Sequence, residues 1–307
     1  MFKKKINTII IIILCIFDVF PKRLSNKNKK IIYLSFSVTN KYINLLFTSL
    51  FSLLENSDKN TIYIIYLQIG EDFLENNLNL ISNLEKIYFN CFIIKINMGD
   101  KFSDAITGLL DESVYYRLEL PIICNNINRI LYIDCDTIIL KDLMELYSLN
   151  FNGKYILGRL DLLVNELDSL GVYIKNYINS GILLMDLYNL RKYKYVNKFL
   201  DYLNKHNNLQ FLYHHDQTLI NYVCHDKIGI LRPKYHMWPF ENILEIIDLN
   251  KKFRIPYNET EFIQDYYNPF IIHFPGTYKL RKGNKNNTYY DKIDKYRELS
   301  KLVKNKF

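Results

Sequence analysis

The sequence predicts an α/β fold in which one mainly parallel central sheet carries helices on both faces. Two observations predict it. From Ile31 onward, short apolar, β-branched runs alternate with stretches whose apolar residues recur at helical spacing, the pattern of strands joined by crossover helices. In addition, the run Arg129-Ile-Leu-Tyr-Ile-Asp-Cys-Asp-Thr-Ile-Ile-Leu140 is a buried-strand pattern that ends in two carboxylates one residue apart, where such a strand emerges at the ligand-binding edge of an open sheet.

In chain order, Ile31 to Ser37 reads as the first strand. Tyr42, Leu45, Leu46, Ser49, Leu50, Leu53 and Leu54 then fall on one side of a helix. Thr61 to Leu67 is a second strand, and Glu71 to Glu85 a second helix with Leu74, Leu78, Ile81 and Leu84 on one face. Cys91 to Ile96 is a third strand, Ser113 to Cys124 a helix interrupted at Pro121, and Arg129 to Ile133 the strand before the carboxylates. Leu143, Leu146 and Tyr147 predict a short helix that supports the loop from behind. Lys154 to Arg159 is a strand ending at Asp161, and Gly181 to Met185 another. A helix with Tyr195, Phe199, Tyr202 and Leu203 as its buried stripe follows, then a helix for which Asp216 is a good N-cap. Ile271 and Ile272 lead as a strand into His273, and a Pro-Gly turn presents Lys279, Arg281 and Lys282. The first strand is not followed by Gly-x-Gly-x-x-Gly, which argues against the usual dinucleotide fingerprint.

Asp134 and Asp136 sit at i and i+2 of an extended segment, so both side chains point one way and can face one hard cation, or a cation shared with a diphosphate. The same tripeptide also occurs as an ordinary solvated loop. Cys135, between them, points to the opposite side and reads as packing. With 49% hydrophobic and 23% charged residues the composition is that of a globular protein, neither disordered nor membrane-spanning. The formal charge of +8 suits phosphorylated ligands or an anionic membrane face. Zinc-finger spacing, ribonucleoprotein motifs and Lys/Arg-dense recognition helices are all missing, so nucleic acid is a poor partner. Five cysteines, odd in number and without a Cys-x-x-Cys pair, read as reduced core residues of a cytosolic protein.

Residues 1–30 form an apolar and basic segment. Its apolar run, Ile9 to Phe17, is well short of the roughly 20 residues that span a bilayer, which leaves an interfacial anchor or an extra packed element as the two readings. The domain proper is expected at 31–283 and a basic tail at 284–307.

Four motifs together carry a resemblance: Asp134-Cys-Asp136 with its Leu-Tyr-Ile lead-in, Tyr177-Ile-Asn-Ser-Gly-Ile-Leu-Leu-Met-Asp-Leu187, Asp216-Gln217, and His273-Phe-Pro-Gly276 with Lys279. In that order and rough spacing the chain resembles the family 8 glycosyltransferases, above all the bacterial enzymes that extend lipopolysaccharide. The resemblance implies a GT-A type fold with a Rossmann-like sheet. It also implies a retaining transfer of glucose or galactose from UDP-glucose or UDP-galactose to a glycan or glycolipid acceptor. Asp134, Asp136 and His273 match the metal ligands, a mixed N/O set that favours Mn²⁺ over Mg²⁺. Gly276 and Lys279 match the diphosphate clamp, and Arg117 an arginine near the donor. Asp161, Asn179, Asp216 and Gln217 match residues lining the donor sugar and acceptor, with Gln217 beside the anomeric carbon. The enzyme would then work in the cytoplasm, peripherally at the inner face of the cell membrane.

The chain departs from the family twice. The acidic pair after the first strand is replaced by Ser37-Val-Thr-Asn-Lys-Tyr42, leaving Thr39 near the base and Tyr42 to stack on it. The Lys-Pro-Trp ending is Lys279-Leu280-Arg281. These departures keep a second reading open, a catalytically silent nucleotide-sugar or glycan binder of the same fold. A metal-dependent nucleotidyltransferase is a third, against which the missing glycine-rich, basic loop after the first strand speaks.

Overall fold

The computed structural model describes residues 29–100, 102, 112–161, 174, 176–205, 215–239, 248, 257–275, 294–298 and 301. Nine strands are assigned among them: β1 (Lys30–Val38), β2 (Thr61–Ile69), β3 (Cys91–Asn97), β4 (Arg129–Ile133), β5 (Thr137–Ile139), β6 (Ile156–Gly158), β7 (Ile182–Asp186), β8 (Ile228–Ile230) and β9 (Ile271–His273). Seven form one sheet in the order β3-β2-β1-β4-β7-β6-β8, and β5 pairs with β9 in a small second sheet. Pairings from β3 to β4 are parallel, as is β6 with β8, while β7 runs antiparallel to both of its neighbours.

The strands are buried on both faces, so they read as continuous apolar runs. Their side chains alternate between two cores. Ile130 and Tyr132 of β4 join the core of one face together with Ile62, Ile64 and Tyr66 of β2; Leu131 and Ile133 join the other with Tyr63, Ile65 and Leu67. The second core is closed by α1 (Ile43–Glu55), which buries residues almost all round, Phe47, Leu50, Phe51 and Leu54 among them. The helix α2 (Glu75–Ile87) buries Ile81 and Leu84. Leu74, expected on that face, precedes the helix and is exposed.

The predicted helix from Ser113 to Cys124 is three short turns: α3 (Ser113–Tyr116), a 3₁₀ turn (Arg117–Glu119) and α4 (Leu120–Ile123). Pro121 lies in the first turn of α4, where its missing N–H costs nothing. The short supporting helix is α5 (Met144–Tyr147). Beyond it come α6 (Leu187–Lys192), α7 (Tyr195–Lys205), α8 (His215–Val223) and α9 (Glu259–Tyr267). Tyr195, Phe199 and Tyr202 are buried, as the stripe of α7 requires. Asp216 is not the N-cap of its helix: α8 already includes His215, and Asp216 lies in the first turn. Cys91, Cys124, Cys135 and Cys224 are free and buried, and the Cys135 thiol donates to the Ser37 carbonyl at 3.2 Å. No helix among the described residues is long and apolar enough to cross a membrane.

Candidate active site

Strand polarity assembles the site. The parallel strands β1, β2 and β4 end at one edge, and Asp134 follows directly on β4. Because β7 runs the other way, with Ile182 opposite Ile133, its amino-terminal lead falls at that same edge. The Asp134 amide donates to the Gly181 carbonyl at 2.8 Å. Residues 179–181, far from Asp134 in sequence, are therefore its neighbours. The small sheet then delivers the third ligand. Thr137 of β5 pairs with His273 of β9, and the Phe274 amide donates to the Asp136 carbonyl at 2.9 Å.

Asp134, Asp136 and His273 converge, each offering one ligand atom within 4.8 Å of the others. His273 Nε2 lies 3.2 Å from Asp136 Oδ1 and 3.7 Å from Asp134 Oδ2. The histidine is buried and the carboxylates are half-buried. Two carboxylate oxygens from one loop and an imidazole nitrogen from a second backbone segment fit a divalent cation that keeps further positions for ligand oxygens. Gly181 makes the approach possible: a Cβ there would stand 2.8 Å from His273 Nδ1 and 2.9 Å from Asp134 Oδ2, and closer still to His273 Cε1.

Behind the cluster Arg117 is almost fully buried. Its Nη2 donates to Asp134 Oδ1 at 2.9 Å, its Nη1 to the Ser180 carbonyl at 2.6 Å, and its Nε lies 3.2 Å from Asp216 Oδ2. The guanidinium also sits 4.1 Å above the Tyr132 ring, whose hydroxyl donates to Asp134 Oδ1 at 2.8 Å. Burial alone would weaken the arginine's hold on its proton, but the Asp134 and Asp216 carboxylates outweigh it and raise its pKa. Asp216 is itself pushed up to about 6, by burial first, with Arg117 pulling down and the like charge of Asp134 pushing up. The arginine thus fixes Asp134 and ties it to α8.

The sugar-lining candidates form a second cluster. Gln217 Nε2 and Asn179 Nδ2 both donate to Asp161 Oδ2, at 2.9 and 3.1 Å. The amide oxygens are used as well, Gln217 Oε1 by the Ser180 amide and Asn179 Oδ1 by the Gly181 amide. Ser180 therefore joins the two clusters, through its carbonyl to Arg117 and its amide to Gln217. Thr39 and Tyr42 are half-buried at the carboxyl end of β1, Tyr42 just ahead of α1. Gly276 and Lys279, with Leu280, Arg281 and Lys282, lie outside the described residues.

Four participants had no role assigned from sequence. Gly181 and Ser180 lay inside a quoted motif and act through backbone. Asn221 and His236 had no such marker. Asn221 is fully buried and pins residue 178 to α8, accepting from the Ile178 amide and donating to its carbonyl, both at 2.7 Å. His236 Nε2 lies 2.8 Å from His273 Nδ1. Burial, then His273, then the charge of Arg159 hold its pKa well below the usual histidine value, so it is neutral.

A seven-stranded α/β sheet with a carboxylate pair, an imidazole and a polar cluster at one edge defines the class as a GT-A type glycosyltransferase. The galactosyltransferase LgtC, solved with donor and acceptor sugar analogues, has the same fold: its TM-score is 0.68 at 16% identity, over 87% of this chain and 96% of that one. The model of glycosyl transferase family 8 matches residues 33–280, and the chain belongs to that family. Among curated relatives it is similar to general stress protein A of Bacillus subtilis, 26% identical over 81% of this chain and 87% of that protein. It is also 27% identical to a lipopolysaccharide 1,2-glucosyltransferase of Escherichia coli, over 75% of this chain and 67% of that one. The protein is accordingly a glycosyltransferase.

Proposed function

We propose that the enzyme moves glucose or galactose, with retention, from the UDP-sugar to a cell-surface glycan of the lipopolysaccharide kind, in a Mn²⁺-dependent reaction. The observation that carries this reading is the convergence of Asp134, Asp136 and His273 within 4.8 Å beside the Asp161, Asn179 and Gln217 cluster. One end fits a metal-bound diphosphate and the other a polyhydroxylated sugar. The similarity to a lipopolysaccharide glucosyltransferase supports the acceptor class.

In this reading Asp134, Asp136 and His273 would hold the cation, whose chemistry would be to neutralise the charge that builds on a departing diphosphate. Arg117 and Tyr132 keep Asp134 in place from behind, so the site needs little reorganisation as charge develops. Lys279 and Gly276, which match the diphosphate clamp of the family, would serve the leaving group, the lysine by adding a second positive charge. Thr39 and Tyr42 take the uracil end.

Gln217 presents an amide, a poor nucleophile, next to the sugar. Asp216 is buried against Arg117, which supports a binding role rather than attack on the anomeric carbon. Same-face attack by the acceptor, with the departing phosphate oxygen taking the proton, suits this arrangement. Gln217, Asn179 and Asp161 orient the sugar and exclude water from it. Basic residues of the terminal segments would hold the enzyme at the anionic inner face of the membrane.

The test is UDP release from a panel of UDP-sugars with Mn²⁺ and with chelator, comparing the native chain with Asp136→Ala. One UDP-sugar is expected to turn over with metal only, and the substitution to abolish it. Turnover that survives both chelator and substitution would sink the reading.

A further inference from the structure

We propose that His236 is a positioning residue for the metal site: its Nε2 takes the hydrogen bond of His273 Nδ1–H, leaving His273 Nε2 bare toward Asp134 and Asp136. The inference rests on the reading that those three residues hold a divalent cation.

A neutral imidazole has one proton and two nitrogens. A metal can take Nε2 of His273 only if the proton is on Nδ1, and a buried N–H needs an acceptor. His273 Nε2 faces the carboxylates at 3.2 and 3.7 Å, and its Nδ1 faces His236 Nε2 at 2.8 Å. Both rings are buried, His236 completely. His236 therefore stands where a carboxylate or carbonyl commonly supports a metal-ligating histidine.

The frame around His236 is rigid. Its amide donates to the Pro233 carbonyl at 3.0 Å, and its carbonyl accepts from Arg159 Nη1 at 2.6 Å. Arg159 lies 4.5 Å over the Trp238 ring, which meets His236 edge-on at 6.1 Å. The next residue clamps β9 directly: the Met237 amide donates to the Ile271 carbonyl at 2.8 Å, and the His273 amide to the Met237 carbonyl at 2.7 Å. The two rings are thus held in register by the backbone on which they sit.

A packing role alone does not account for a histidine here. His236 Nδ1 is buried with no hydrogen-bond partner among the described residues, an unfavourable arrangement that a leucine or phenylalanine would avoid. Among the described residues its ring makes one hydrogen bond, the one to His273. With Nε2 accepting, the His236 proton is on this Nδ1, and the cost of a buried N–H without a partner is set against the hydrogen bond to His273 and the metal bond that it permits.

The experiment measures Mn²⁺ affinity of the full chain by the electron paramagnetic resonance of free Mn²⁺, in the presence of UDP. Wild type is compared with His236→Gln, whose amide oxygen can stand near the Nε2 position, and His236→Phe, which fills the space but accepts nothing. The Phe variant is expected to bind Mn²⁺ about 10 to 100-fold more weakly, and the Gln variant to stay close to wild type. Equal affinities in wild type and Phe, or equal losses in Gln and Phe, would overturn the proposal. Wild-type chain that binds no Mn²⁺ would overturn the underlying metal reading instead. If the variants do not fold, ¹⁵N NMR of the wild-type histidines loaded with diamagnetic Zn²⁺ decides: a proton on His273 Nδ1 supports the inference, and one on His236 Nε2 overturns it.

Discussion

At the scale of single residues, the site depends on what is missing as much as on what is present. Gly181 has no side chain because His273 and Asp134 occupy the space a Cβ would need. Gly181→Ala should push the imidazole off the carboxylates and weaken Mn²⁺ binding by about tenfold or more, on the scale of other disturbed ligand supports. Calorimetric titration with Mn²⁺ and UDP checks it, and unchanged affinity would show that the ring has room to give. Asp216 makes a different prediction. Its folded pKa, about 6, lies above the ordinary 3.8, so the native state holds the proton more tightly. The contribution of this group to stability is fully present below about 4 and is lost as pH rises through about 6. Asp216→Asn abolishes that titration, so its melting temperature minus that of wild type should rise between pH 4 and 7. A difference independent of pH would mean Asp216 titrates normally.

At the scale of elements, the site hangs on how α8 is joined to the stretch before β7. Asn221 makes that joint with hydrogen bonds to both backbone groups of Ile178 and one to the Gln217 carbonyl. Asn221→Ala would leave buried backbone groups unpaired and should cost about 2 to 4 kcal/mol in urea titrations. It should also lower UDP release by freeing Gln217 from Asp161, with Mn²⁺ affinity nearly kept because Asp134, Asp136 and His273 lie on other segments. The elements that could be read from sequence are those with a period to read. The strands β1 to β4 are long enough to show as continuous apolar, β-branched runs, and the helices α1 and α7 long enough for a 3.6-residue stripe. The strands β5, β6, β8 and β9 span three residues each, too few for any period, though the apolar run after Lys154 and the apolar pair before His273 still marked two of them. Nothing local encodes that β7 is antiparallel, since orientation is decided by what it packs between. The carboxylates stood out by their place at a strand end, whereas the Asn-Ser-Gly motif and His273 were legible as candidates only through the resemblance to family 8. His236 and Asn221 were not, because each acts on a residue about 40 positions away and stands alone among apolar neighbours.

At the scale of the whole molecule, the three proposed ligands lie on two parts of the chain far apart in sequence, which the β5–β9 pairing and the hydrogen bond from the Phe274 amide to the Asp136 carbonyl bring together. Asp134 and Asp136 follow the central strand β4, and His273 ends β9, which belongs to the small sheet and is itself clamped to Met237. A cation held by all three would bind the folded state and not the unfolded one, so it should act as a staple between the main sheet and the carboxyl-terminal quarter of the chain. At 100 times its dissociation constant, such a ligand stabilises by about 2.7 kcal/mol. For a domain of this size each kcal/mol shifts the melting temperature by about 2–4 °C, so saturating Mn²⁺ with UDP should raise it by roughly 5–11 °C. Chelator should return it to the metal-free value. Asp136→Ala should show no metal-dependent shift, because it leaves one carboxylate and one imidazole to hold the ion. If Mn²⁺ raised wild type and Asp136→Ala alike, the ion would be acting elsewhere on the surface, and the staple would have to be sought in a different set of residues.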